Sequence, residues 1–441
     1  MRAIYLGLGA VGLALCVAPL VRHFHPRPPS ADEAAQAVAA IASAIPSAED
    51  PSISRAAPRE PGPAPLTGLD LVHVALDDEG ATAPASGRRI ARLTLAPDLQ
   101  RTAAALMNAH HLPQASIVMI DPATGELLVY ASHVEGGPAR DLAAEASAPA
   151  ASVFKLITGA ALVQDGGLGV ETRECYAGGG EHSLHAADLV QDARRDRFCV
   201  TLGGAMGRSL NPVFARLAQR HLDAHAIEEM AAAFGFGDKV PFEVDVEPST
   251  LRLPTDPLGF ARTAAGFWNS TLSPVQAAWM SAAIARGGEL PRLTIVREVA
   301  EPGQPPLFTA PPPGVVRRAV SRETAQAVAQ MMEYTVSDGT SYRAFHDRSG
   351  LSFLGGVAVA GKTGTLTDPD GQRLYTWFTA FAPSRPIAGV KPVAIAVLVV
   401  NHPTWHVKAN VIAREMLRAY FADQGIAHVT RPSTSTSVAR R

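Results

Sequence analysis

The sequence uses lysine at very few positions, and two of these lie in short motifs whose residues could perform chemistry. Of the 39 Lys and Arg residues, only five are lysine: Lys155, Lys239, Lys362, Lys391 and Lys408. Unlike arginine, lysine can lose its proton near neutral pH or act as a compact point charge. The motifs are Ser152-Val153-Phe154-Lys155 and Lys362-Thr363-Gly364-Thr365, with Ser209-Leu210-Asn211 between them. Their order and spacing predict a serine acyl-transfer enzyme.

Ser152 and Lys155 have the spacing of a nucleophile and its base. A helix is predicted over 152–163, because Pro149 and two alanines precede it and an apolar run follows. Residues three apart then share one helix face. A serine hydroxyl needs a nearby base, and a buried lysine whose pKa is lowered by burial and a neighbouring cation can be that base. The alternative is a helix N-terminal serine followed by a lysine that extends to solvent.

The Lys362 motif follows Val357–Ala360, an apolar run that predicts a core strand. A glycine in a strand lets a ligand backbone approach closely. A lysine and two threonine hydroxyls on that strand suit a substrate carboxylate. The alternative is a strand end followed by a turn.

Ser209-Leu210-Asn211 is the weakest signal of the three. Pro212 at a first helical position predicts that a helix begins here in any case. The capping role and a catalytic role are compatible.

Length, composition and net charge limit the number of domains and the classes of partner. With 441 residues and 47% hydrophobic residues, the chain can bury a large core in one or two domains. A net charge of −2 and only 6% aromatic residues argue against a nucleic-acid partner.

The N-terminus predicts a membrane anchor. Arg2 precedes an uncharged run, 3–21, which has about the length of a transmembrane helix, and Arg22 ends it. A cleaved signal peptide is the alternative. Positive residues at both ends leave the orientation open.

Composition shifts suggest domain boundaries. Residues 1–21 form the predicted anchor, 22–89 a Pro- and Ala-rich tether, 90–425 the globular domain, and 426–441 a disordered tail. Two strand pairs are predicted, over 116–120 with 126–131 and over 377–381 with 393–400. Helical patterns occupy Asp98–Met107, Ser152–Val163, Asn211–His221, Ser273–Ala285 and Arg322–Tyr334.

The three motifs together resemble those of the penicillin-binding proteins and serine β-lactamases, whose signature is S-x-x-K, S-x-N and K-T-G. The resemblance covers roughly residues 90–420, the transpeptidase domain, and includes Gly339-Thr340. It implies an α/β (α+β) fold, with an antiparallel sheet flanked by helices and an all-helical subdomain. It calls for no cofactor and no metal.

The resemblance also implies a catalytic role for each motif residue. Ser152 would be acylated by the D-Ala-D-Ala end of a peptidoglycan stem peptide or by a β-lactam. Lys155 would take the proton from Ser152. Ser209 would relay a proton to the leaving group, and Asn211 would hold the substrate amide.

The third motif would bind the substrate. Lys362, Thr363 and Thr365 would hold the terminal carboxylate, with Gly364 between them. The backbone N–H groups of Ser152 and Thr365 would form the oxyanion hole. Ala151 departs mildly from the family, where glycine or another small residue is frequent.

Together with the uncharged N-terminal run, the resemblance implies a monofunctional, single-pass enzyme of the cytoplasmic membrane with a periplasmic catalytic domain. It would be a peptidoglycan D,D-transpeptidase, and a separate glycosyltransferase is an expected partner. A D,D-carboxypeptidase, a serine β-lactamase, and a β-lactam sensor or cell-wall scaffold are the alternatives.

Cys175 and Cys199 flank a stretch rich in glycine and histidine. Outside the cytoplasm a disulfide is the expected state. A zinc site that includes His182 and His185, or two free thiols, are the alternatives.

Overall fold

A computed structural model describes residues 64–179, 183–402, 405 and 407–426. The predicted anchor, the tether up to residue 63, His182 and the tail from residue 427 lie outside the described residues. Within the described part, no helix combines the length and the apolar character that a bilayer span requires.

Helices and strands alternate irregularly along the chain. The helices are α1 Pro97–Ala109, α2 Lys155–Gln164, α3 Ala186–Leu189, α4 Leu202–Arg208, α5 Asn211–His221, α6 Ala224–Ala233, α7 Pro257–Ala264, α8 Pro274–Ala285, α9 Arg322–Ser337, α10 Tyr342–Phe345 and α11 Ala409–Asp423. The strands are β1 Ala75–Leu76, β2 Ala81–Pro84, β3 Ile90–Leu93, β4 Gln114–Ile120, β5 Leu127–Val134, β6 Ala148–Pro149, β7 Arg173–Tyr176, β8 Phe198–Thr201, β9 Thr271–Leu272, β10 Glu289–Pro291, β11 Val296–Ala300, β12 Phe308–Thr309, β13 Val315–Arg318, β14 Ala360–Thr367, β15 Leu374–Ala382 and β16 Val393–Asn401.

The central sheet has five antiparallel strands in the order β14-β15-β16-β4-β5. Both predicted strand pairs are confirmed as hairpins within it. All nine residues of β15 and all nine of β16 are buried, because helices cover both faces of the sheet.

Successive residues of these strands enter two different cores, as the two-residue period of a strand requires. Trp377 and Val118 lie in one core, with α2, α8 and α9. Phe378 and Ile117 lie in the other, with α1 and α11. Helices α2, α4, α5, α6, α7 and α9 pack together on the first face. The predicted fold class is therefore confirmed.

The predicted boundary at residue 89 is wrong. Strands β1 and β2 lie before it and pair with β3 in a second five-stranded sheet, β1-β2-β3-β11-β12. Ala81 and Ala83 are buried in that sheet. Alanine and proline gave this segment the composition of a tether, but alternate alanines still bury one strand face.

Two local predictions near the motifs also need correction. Ser152 does not begin an α-helix but lies in a 3-10 turn, Ala151–Phe154, and α2 starts at Lys155. Because a 3-10 turn has three residues per turn, Ser152 and Lys155 still lie on one side. The strand predicted over 357–360 begins only at Ala360 and continues through the Lys362 motif.

Candidate active site

Ser152 is positioned by a tight backbone turn. Ala151, just before it, has a φ of +50°, which is uncommon for a residue with a Cβ. The turn packs against Gly266, where a Cβ would lie 2.5 Å from the Ala151 carbonyl oxygen. The indole Nε1 of Trp377 donates to the Pro149 carbonyl at 2.9 Å. The central sheet therefore fixes the chain on which Ser152 lies.

Lys155 is fully buried behind Ser152. Its Nζ donates to Ser152 Oγ at 2.9 Å, to Asn211 Oδ1 at 2.6 Å and to the Ala265 carbonyl. Burial, and next the charge of Lys362, hold the pKa of Lys155 well below its usual value. A lysine in this state can accept the proton of the serine that it contacts.

Lys362 is a second fully buried lysine, on β14. Its Nζ donates to Ser209 Oγ and to the Thr363 carbonyl, both at 2.9 Å. Burial lowers the pKa of Lys362 to about 7. Among the described residues, no carboxylate forms a salt bridge with Lys155 or Lys362.

Ser209 and Asn211 reach the site from a helix junction. Ser209 ends α4 in the left-handed conformation, with a φ of +57°, and Asn211 is the first residue of α5. A left-handed non-glycine residue costs roughly 1–3 kcal/mol and persists only where the surrounding structure enforces it, and such residues cluster at functional sites. This junction places Ser209 against Lys362 and Asn211 against Lys155.

The motif residues meet at a cleft of about 290 Å³. Ser152, Ser209, Thr363, Gly364 and Thr365 all line it. Lys155, Asn211 and Lys362 lie behind this lining and contact it through the hydrogen bonds above. The structure thus brings together every residue that the three motifs predicted for the site. This arrangement of hydroxyls and buried lysines is suited to acyl transfer through serine.

Comparison with known proteins identifies the family. A family profile described as the penicillin-binding protein transpeptidase domain matches residues 115–418, more than half of the chain. The chain belongs to the penicillin-binding protein transpeptidase family.

Two curated relatives are named peptidoglycan D,D-transpeptidase PbpA. The Mycolicibacterium smegmatis protein is 27% identical over an alignment of 346 residues that covers 69% of this chain and 66% of the relative. The Mycobacterium tuberculosis protein is 31% identical over 211 residues, which are 47% of this chain and 40% of the relative. The matches therefore span slightly less than two thirds of the first relative and under half of the second.

Solved structures show the same fold. The crystal structure of penicillin-binding protein A from M. tuberculosis has a TM-score of 0.61 at 25% identity, covering 75% of this chain and 80% of that one. The D,D-transpeptidase domain of a peptidoglycan glycosyltransferase from Eggerthella lenta has a TM-score of 0.62 at 24% identity, covering 76% and 83%.

Several residues around this penicillin-binding protein cleft were not assigned from sequence. Thr340 Oγ1 lies 2.7 Å from Thr363 Oγ1, and Gly339-Thr340 was one of the segments that carry the resemblance. Lys408 also lines the cleft, and the scarcity of lysine was a signal that could have indicated it. Arg208, Trp405 and Asn410 line it as well, and no sequence pattern pointed to them.

Cys175 and Cys199 are joined by a disulfide between the paired strands β7 and β8. Both sulfurs are therefore bonded to each other and not to a metal. Within the described residues, no group of three or more His, Cys, Asp or Glu side chains could hold a metal ion.

Proposed function

We propose that this protein is a peptidoglycan D,D-transpeptidase that cross-links stem peptides through a serine acyl-enzyme. The observation that carries the proposal is the 2.9 Å hydrogen bond between Lys155 Nζ and Ser152 Oγ, made by a lysine that is fully buried. The names of the two curated relatives support the same activity. So does a solved acyl-enzyme complex of M. tuberculosis penicillin-binding protein A with penicillin G, at 25% identity.

The first step forms the acyl-enzyme. Neutral Lys155 takes the proton of Ser152 as Oγ attacks the carbonyl carbon between the two D-alanines. The backbone N–H groups of Ser152 and Thr365 stabilise the oxyanion. Asn211 holds the substrate amide. Lys362, Thr363 and Thr365 hold the terminal carboxylate.

The leaving group needs a proton, and the hydrogen bonds supply a route for it. Ser209 Oγ contacts Lys362 Nζ, so Ser209 can pass a proton to the amine of the departing D-alanine. Gly364 keeps the strand close to the turn that carries Ser152, because a Cβ there would lie 3.2 Å from the Ala151 Cβ. The amine of a second stem peptide then attacks the acyl-enzyme and restores Ser152.

The lining of the cleft favours a transpeptidase over a β-lactamase. Among the described residues that line it, none is Asp or Glu. A hydrolase needs a base that activates water against the acyl-enzyme. The acyl-enzyme should therefore persist until an amine acceptor arrives.

The cellular setting is part of the proposal. We assign the catalytic domain to the outside of the cytoplasmic membrane, held by the uncharged N-terminal run, with a separate glycosyltransferase as partner. The Cys175–Cys199 disulfide supports an oxidising compartment.

Mass spectrometry of the full-length protein incubated with benzylpenicillin tests the proposal. We expect a single adduct on the peptide that contains Ser152, stable for many minutes, and no adduct on Ser152→Ala. Release of D-alanine from a D-Ala-D-Ala peptide, with and without an amine acceptor, separates a transpeptidase from a carboxypeptidase. An unmodified parent would favour a catalytically silent scaffold, and rapid hydrolysis of the drug would favour a β-lactamase.

A further inference from the structure

The mouth of the cleft carries a cation that the acylation mechanism does not use. Lys408 lines the cleft together with Ser152 and is exposed. Its Nζ lies 4.8 Å from the centre of the Trp405 ring. We propose that Lys408 and the N-terminus of α11 form a second anion subsite, which selects acyl donors that carry a carboxylate on their acyl side. This inference rests on the proposed function and adds a substrate class to it.

The position of the subsite follows from the register of the central sheet. Thr365 pairs with Thr376 across β14 and β15, and Thr376 Oγ1 accepts from the Ala409 N–H at 3.3 Å. The start of α11 therefore lies at the Thr365 end of the motif. That end is three residues from Lys362, or roughly 10 Å along the strand.

A bound donor would extend in that direction. Its terminal carboxylate, on the leaving-group side, is assigned to Lys362, Thr363 and Thr365. Its carbonyl carbon must lie at Ser152. The acyl part therefore continues past Ser152 toward Lys408 at the start of α11, away from Lys362.

The charges at the cleft favour an anion there. Within the described part of the chain, no carboxylate forms a salt bridge with Lys408, whereas Lys239, which is also exposed, binds Asp245 at 2.7 Å. Arg208, the other exposed cation of the cleft, is held by Asp338 at 2.7 Å. Lys408 is thus free to bind a ligand carboxylate, and the positive end of α11 adds to its field.

A buried amide gives an independent indication. Asn410, in the first turn of α11, lines the cleft and is only 5% exposed. Its Nδ2 donates to Ser341 Oγ at 3.0 Å, while its Oδ1 is buried without a hydrogen-bond partner in the described structure. Rotating the amide by 180° keeps a bond to Ser341, now donated by the hydroxyl, and frees the NH₂ group as a donor. A ligand carboxylate would satisfy that donor.

Two penicillins provide a matched test. Carbenicillin differs from benzylpenicillin by one carboxylate on the side chain, so the ratio of their acylation rate constants on the full-length protein isolates the second charge. We expect Lys408→Met to lower the carbenicillin-to-benzylpenicillin ratio by roughly three- to tenfold, an effect between that of a surface pair and that of a buried pair. Lys408→Arg should retain most of the ratio. The matched control Lys239→Met should retain all of it.

The outcomes separate this inference from the proposed function. Acylation of the parent by benzylpenicillin, with a ratio that Lys408→Met leaves unchanged, would overturn the anion subsite and leave the transpeptidase proposal standing. A parent that neither drug acylates would overturn both. Added salt should lower the parent ratio toward that of Lys408→Met, because screening weakens a partly exposed charge pair.

Discussion

Two buried cations on neighbouring helices have opposite surroundings. Arg216 on α5 is 2% exposed and forms a two-pronged pair with Asp196, at 2.7 and 3.0 Å. It also donates to the carbonyl of Cys175 at 2.7 Å, with Glu174 at 3.6 Å. Lys155 on α2 is completely buried, yet its partners are a hydroxyl, an amide oxygen and a backbone carbonyl.

The difference separates a structural charge from a reactive one. The hydrogen bond from the guanidinium of Arg216 lowers the pKa of Asp196 and favours its ionised carboxylate. Through these contacts Arg216 holds the disulfide-linked strands β7 and β8 against α5. Lys155 has no opposite charge to hold its proton, so burial and Lys362 drive its pKa down. A buried cation without a carboxylate is therefore the better indicator of catalysis in this fold.

The largest effect is expected for Lys155→Arg, which places at position 155 a permanently charged side chain of the same type as Arg216. In Lys155→Arg the side chain is permanently charged and cannot accept the proton of Ser152 near neutral pH, because the pKa of arginine lies above about 12. We expect acylation of Ser152 by benzylpenicillin to slow by roughly 10²–10⁴-fold or more, the usual cost of a lost general base. Stopped-flow or mass-spectrometric acylation rates would measure it.

Lys362→Arg is the matched variant. The assigned task of Lys362 in binding the carboxylate is electrostatic, so arginine should retain part of that binding and the loss should be smaller. Thermal unfolding of both variants checks the fold. If Lys155→Arg acylated as fast as the parent, the proton would have to leave Ser152 through Ser209 or water.

The next largest effect is expected when the cation of the Arg216–Asp196 pair is removed. Arg216→Met leaves Asp196 buried without its main partner, which should lower the free energy of unfolding by roughly 3–5 kcal/mol. Denaturant unfolding would measure this. Arg220→Met is the control, because Arg220 contacts the buried Glu174 from a half-exposed position and its removal leaves the Arg216–Asp196 pair intact. It should cost less than Arg216→Met. Equal losses for the two variants would contradict the structural role of Arg216.

The disulfide beside Arg216 should contribute a comparable or somewhat smaller amount. Replacing Cys175 and Cys199 by serine opens a loop with a sequence separation of 24, at a cost of roughly 3 kcal/mol in the chain-entropy model. Unfolding of the double variant measures it, while acylation of the folded protein should persist. Protein from an oxidising compartment should show no alkylatable thiol at either cysteine without reductant. Two alkylated cysteines would refute the disulfide.

The sequence predicts those parts of the fold and the site whose signals lie within a short stretch of the chain. The motifs, the two hairpins and α5 follow from spacing and periodicity within short windows. Arg216 could not be found in that way, because its partners Glu174 and Asp196 are brought to it only by the fold of 173–201. The same holds for Gly266, whose need to be glycine arises from contact with Ala151, more than a hundred residues earlier.

The pH dependence of stability distinguishes the two kinds of buried cation. Burial lowers the pKa of Lys362 to about 7, whereas an unfolded lysine titrates near 10.4. Between these values the unfolded chain holds a proton that the folded chain has lost, so the contribution of Lys362 to stability must rise with pH. The slope cannot exceed about 1.4 kcal/mol per pH unit. Below pH 7 both states are protonated and the contribution is flat.

The difference in unfolding free energy between the parent and Lys362→Met, followed from pH 6 to about 10, measures this contribution together with that of Lys155, whose pKa the charge of Lys362 lowers. Groups that do not interact with Lys362 cancel. At the Arg216 site, the free energy of unfolding should depend on pH in the acidic range instead, because Asp196 is the group that titrates there. The lowered pKa of Asp196 stabilises the fold above the carboxyl's unfolded pKa near 4, and that stability is lost as pH falls through its folded value. A parent-minus-variant difference that stayed level up to pH 10 would mean that Lys362 keeps its proton throughout. It would then hold the substrate carboxylate as a permanent cation and could not serve Ser209 as a proton source.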